Sequence, residues 1–149
     1  MSGAWEAYVV ARLEEAGVTL LCLREAPSPH VVRSGWPAVV QEWSAYAAEA
    51  ASLRWPSPSA EAIARMDEAL AWLALLPPPP DPVRYLLGAR MLVHPVRGDY
   101  LVSWRRVAAH LHTDHHRVQR MHARGIALLA GALKKNFTIP LPNVPEYAT

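Results

Sequence analysis

Apolar residues recur along this chain mostly at helical spacing, and few segments alternate with the two-residue period of a strand. In AWEAYVVARLEEAG, Trp5, Tyr8, Val9, Arg12 and Leu13 share one side and glutamates the other, which predicts an amphipathic helix from about residue 4. Gly17 is a candidate stop, but VTLLCL has no partner strand elsewhere, so the helix is expected to run on through it. The prolines of APSPH, residues 26–30, predict a loop. WPAVVQEWSAYAAEAASL, with Pro37 suited to a first helical turn and many alanines, predicts a second helix. In WPSPSAEAIARMDEALAWLALL, Ser57 is the expected N-cap, Pro58 the first helical residue, and Ile63, Met66, Leu70 and Leu73 the apolar stripe.

PPPPDP, residues 77–82, cannot be helical and reads as a stiff, extended spacer. Beyond it VRYLLGARMLVHP predicts a helix that packs through Leu86, Leu87, Ala89, Arg90 and Val93, and HPVRGDYLV turns at Pro95 and Gly98. Ser103 is expected to cap a helix carrying Trp104, Val107, Ala108 and Leu111 on one face. Asp114 is expected to cap a second short helix whose inner face is Val118, Met121 or His122, Gly125 and Leu129. Two short helices joined by a few residues, with the small Ala108 where the second must approach, follow the helix-turn-helix plan. The expected fold class is all-α: a helical N-terminal region 1–76, a proline-rich spacer 77–82, a three-helix helix-turn-helix module 83–135, and an extended tail 136–149.

At Trp104, Val107, Ala108, Leu111, Asp114, Val118 and Arg120 the chain resembles the helix-turn-helix of sigma-factor region 4 and its relatives. His112 stands where that pattern has the glycine of a left-handed turn, and Thr113 where it has a buried Val or Ile. The WP-containing segment, PSPSAEAIARMDEALAWL and this C-terminal motif together are similar to an uncharacterised family of small proteins of bacterial prophages. The first resemblance implies an all-α DNA-binding protein; the second, which spans most of the chain, points to phage or prophage type and implies no established activity.

Composition agrees with a folded domain: of 149 residues, 52% are hydrophobic and 19% charged. The lone Cys22 excludes an internal disulfide and a cysteine-based zinc site. With no basic-then-apolar leader and no apolar run of about 18 residues, a cytoplasmic location is expected. The net charge of +2 hides an asymmetry. Residues 1–82 carry five arginines against ten acids, whereas residues 83–135 carry ten Arg and Lys against only Asp99 and Asp114. A polyanion partner for the C-terminal half follows from that distribution.

HLHTDHH, residues 110–116, matches the His-x-His-x-Asp-His run with which metallo-β-lactamase-type hydrolases hold zinc, through His110, His112, Asp114 and His115. That chemistry needs further ligands from later strands, yet the 33 residues after His116 hold one histidine, His122, and no aspartate. The periodicity before the run is helical, and His110 falls away from the side of Val107 and Leu111. No metal, cofactor or catalytic residue is therefore expected. His122, four residues after Val118, is expected to be packed or half-buried.

The same stretch serves DNA better. His115, His116, Arg117, Gln119, Arg120 and Arg124 open the second helix, whose N-terminal side faces base edges and phosphates in a major groove, with Arg suited to guanine and Gln to adenine. Arg105 and Arg106, on the outer side of the first helix, suit phosphates. The sequence thus reads as a non-enzymatic, sequence-reading double-stranded-DNA-binding protein, a transcription regulator, with a homo-oligomer expected and no membrane partner. Two alternatives stand beside it: a DNA-packaging protein like the small terminase subunit of tailed phages, and a protein-interaction module anchored by tryptophans. RNA polymerase or a packaging motor would be the further partner.

Overall fold

The computed structural model describes residues 2–23 and 57–136, and the expected loop at 26–30, the helix after Trp36 and the tail beyond residue 136 lie outside them. Among the described residues there are five α-helices: α1 (Ser2–Cys22), α2 (Ala60–Trp72), α3 (Val83–Arg90), α4 (Trp104–His110) and α5 (His115–Asn136). The fold is all-α, and the only β pairing among these residues is one antiparallel bridge, Val93 with Tyr100.

Helix α1 does run through the VTLLCL segment, because Val9, Leu13, Ala16, Leu20 and Leu21 all bury on one side of it. Gly17 does not end the helix; it lets the helix lie against a neighbouring backbone, since a Cβ there would sit 1.9 Å from the carbonyl oxygen of Met91. The cap of α2 is Ser59 and not Ser57: its Oγ accepts a hydrogen bond from the Ala62 amide at 3.1 Å. Met66, Leu70 and Leu73 bury as the stripe requires, while Ile63 packs at the edge of the core. A short 3₁₀ turn, Leu73–Leu75, follows.

Residues 77–82 are bent and not fully extended, with the Asp81 amide donating to the Pro78 carbonyl at 3.2 Å. Asp81 Oδ1 then accepts from the Val83 amide at 3.0 Å and so opens α3. One hydrophobic cluster runs from Trp5 to Leu133 and draws side chains from both sides of this bend. Within it α1 packs on α2 and α5, while α3 and α4 both pack on α5.

Helix α5 is the long element of the C-terminal half, 22 residues where the sequence predicts a short helix. Past Gly125 it continues to bury Ile126, Leu129, Ala130 and Leu133, and α1 packs against this helix. That partner comes from the other end of the chain, which explains why local periodicity underestimates the helix.

Candidate nucleic-acid interface

Both caps expected at the helix pair are present. Ser103 Oγ accepts from the Arg106 amide at 3.2 Å and starts α4, and Asp114 Oδ2 accepts from the amides of His116 (3.0 Å) and Arg117 (3.3 Å) and starts α5. Between them the chain reverses in a Schellman motif: the His112 amide donates to Ala109 O at 3.3 Å and the Thr113 amide to Ala108 O at 3.0 Å. Such a motif needs a residue in the left-handed region, and His112 takes it with φ +50°. This is the position that the sequence pattern reserves for glycine.

The two inner faces meet as the spacing requires. Val107 and Ala108 of α4 are buried, as are Val118, Gly125 and Leu129 of α5. Gly125 lies where a Cβ would come within 2.7 Å of Leu87 Cδ1 and Val83 Cγ1, so α3 presses close to α5. Opposite these faces, Arg105 and Arg106 are exposed on α4, and His116, Arg117, Gln119, Arg120 and Arg124 on α5, with His115 half-exposed. The rings of His115 and His116 lie 4.0 Å apart, and His115 Nδ1 is 3.4 Å from Asp114 Oδ1. Partial desolvation works against ionisation of Asp114, but the amides of Arg117 and His116 and the adjacent imidazoles hold its carboxyl below the ordinary aspartate value.

The histidine run is dispersed by this geometry. The His110 ring stacks on Tyr85, 4.6 Å away and 13° from parallel, while His112 occupies the turn and His115 begins the next helix. Among the described residues no three His, Cys, Asp or Glu side chains gather as a metal-binding group.

The cationic character of the C-terminal half is narrower than its sequence count. Arg84 donates to the carbonyls of Ala74 and Leu76, Arg97 pairs with Asp99, and Arg124 pairs with Asp81 at 3.0 Å, tying α5 to the start of α3. Arg90 is buried, its guanidinium carbon 3.8 Å from the Tyr100 ring centroid and 3.9 Å from that of Trp104, with Nη1 donating to Val102 O at 2.6 Å. Its place on the packing side of α3 is legible from its spacing to Leu86, but its aromatic partners come from later elements. Two such rings after a buried-face arginine are the only hint in the sequence. Next to them His122 meets the Trp104 ring edge-on at 5.1 Å, and burial, helped by the Arg90 charge, pushes its pKa down to about 4.

Residues 21–129 match the family described as Domain of unknown function (DUF6362). The chain belongs to this family. The DUF6362 match takes in α2, α3, α4 and much of α5, and so every exposed cation of the two-helix surface from Arg105 to Arg124. No curated protein and no solved structure matches the chain. Among the described residues no helix is long and apolar enough to cross a membrane.

Proposed function

We propose that this DUF6362 protein binds double-stranded DNA, using α4, the turn at His112 and α5 as a helix-turn-helix, and acts as a transcription regulator of phage or prophage type without catalysis. One observation carries the reading: Arg105 and Arg106 on α4 and His116, Arg117, Gln119 and Arg120 on α5 are all exposed, on two helices joined by a tightly hydrogen-bonded turn with Asp114 engaged as a cap. In this arrangement the first two turns of α5 enter the major groove, where Arg117 and Arg120 offer paired donors to guanine and Gln119 matches adenine. Arg105 and Arg106 hold phosphates and set the register, which is a task for sequence-independent contacts.

Salt titration of duplex binding tests the proposal. Affinity is expected to fall steeply as salt rises, with a log–log slope of roughly −0.9 for each phosphate neutralised. Replacing Arg105 and Arg106 by Ala is expected to weaken binding to all sequences alike and make the slope shallower by about 2. Arg117→Ala with Arg120→Ala is expected to cost about 1–3 kcal/mol per lost base contact and to relax sequence preference. No binding to duplex DNA at low salt, with the protein folded, overturns the reading.

A further inference from the structure

Among the described residues Arg90 is the one buried side chain with a permanent charge. It forms no ion pair there; its charge is met by two aromatic faces and one backbone carbonyl, while its Nε has no hydrogen-bond partner. Burial lowers its pKa from the ordinary arginine value, opposed by Tyr100 and by Glu14, whose carboxylate accepts the Tyr100 hydroxyl proton in a hydrogen bond from α1. A buried cation without a carboxylate is costly, and an apolar residue of similar size would fill the space at less expense. What the guanidinium has that an alkyl chain lacks is direction: a flat group with two faces and in-plane donors.

Each of those directions is used at the start of α4. Its carbon lies over the ring of Tyr100 and over that of Trp104, the first residue of α4, and an edge donor holds Val102 O, just before the cap residue Ser103. Trp104 also meets His122 of α5 edge-on, 5.1 Å between ring centroids. The start of α4 is thus fixed between α3 and α5 by an oriented stack as well as by ordinary apolar packing.

We propose that Arg90 is a positioning residue of the two-helix surface: stacked between Tyr100 and Trp104, it sets where α4 starts and thereby holds Arg105 and Arg106 in register with Arg117 and Arg120. The inference rests on the nucleic-acid reading of that surface for its consequence, but its structural core is separate from it. Arg90 itself is buried and acts through the placement of α4.

The test combines Arg90→Met, which keeps length and loses charge and plane, with Arg90→Lys, which keeps charge and loses plane. Tyr100→Leu, at a residue that is 44% exposed, removes one stacking face and guards against misfolding of the Arg90 variants. Three readouts are taken: amide hydrogen exchange residue by residue, the NMR titration of His122, and affinity for duplex DNA. All three variants are expected to exchange faster through residues 104–110 while 118–133 stay protected, and to bind duplex DNA roughly ten-fold more weakly. Arg90→Met should in addition raise the His122 titration point, and Arg90→Lys should leave it low. Unchanged exchange in 104–110 overturns the proposal, and so does a uniform loss of protection across all helices, which would make Arg90 a core filler only. Altered exchange with undiminished DNA affinity also overturns it. If the wild-type protein binds no duplex DNA, the function proposed above fails, while exchange and the His122 titration still decide whether Arg90 orients α4.

Discussion

At the scale of single residues, the half-buried His122 shows how the joint between the helices constrains protonation. The spacing to Val118 marks it as an inward histidine, but its depressed pKa of about 4 comes first from burial and then from the Arg90 charge, which sequence distance hides. A base whose folded pKa lies below its free value is bound by fewer protons in the native state than in the unfolded one. Between about pH 4 and 6.5 the unfolded chain therefore takes up the extra proton, and stability rises with pH across that window. On acidification the loss from this group grows to about 3 kcal/mol below pH 4. Denaturant melts at a series of pH values should show this decline. His122→Phe, which keeps an aromatic edge toward Trp104, is expected to flatten it. An equally steep decline in that variant would place the titration elsewhere.

At the scale of elements, the α4–turn–α5 unit separates what sequence reveals from what it hides. Ser103 and Asp114 were readable as caps because a cap depends on the residue and the amides two or three places on. Ser57 misled because Ser59 offers the same chemistry two residues later, and local pattern does not rank the two. The candidate cations Arg105, Arg117 and Arg120 were legible from their exposed helical positions, whereas the Arg124–Asp81 pair and the Arg90 stack join residues from separate elements. His112 is the local strain in this unit: an L-residue in the left-handed region costs about 1 kcal/mol or more, which glycine avoids. His112→Gly is expected to stabilise the fold by about 0.5–1 kcal/mol, after the extra freedom glycine gives the unfolded chain. Thermal or chemical denaturation measures it, and a destabilised variant would show that the imidazole makes contacts worth more than the backbone strain.

At the scale of the whole molecule, acidic and basic halves share one hydrophobic cluster, so charge and stability are divided differently along the chain. Charge could be read from composition alone, but the shared core could not, since α1 meets α5 across almost the full sequence. Three glycines sample how tightly the elements close on one another. At Gly17 an added Cβ meets the Met91 carbonyl oxygen at 1.9 Å and its carbon at 2.6 Å, and backbone atoms cannot move aside without shifting α1 from the segment after α3. At Gly125 the nearest atoms, both at 2.7 Å, belong to the buried side chains of Leu87 and Val83, which yield more readily than backbone. At Gly131 nothing lies within 4 Å. Alanine gains up to about 1 kcal/mol over glycine inside a helix, so the three substitutions differ only in what their methyl meets. Gly17→Ala is expected to destabilise by about 3 kcal/mol, Gly125→Ala by roughly 1 kcal/mol, and Gly131→Ala to stabilise by about 0.5–1 kcal/mol. Urea unfolding of the three variants gives the order directly. Equal stability of Gly17→Ala and Gly131→Ala would mean that α1 does not rest against Met91, and the shared core would have to be redrawn.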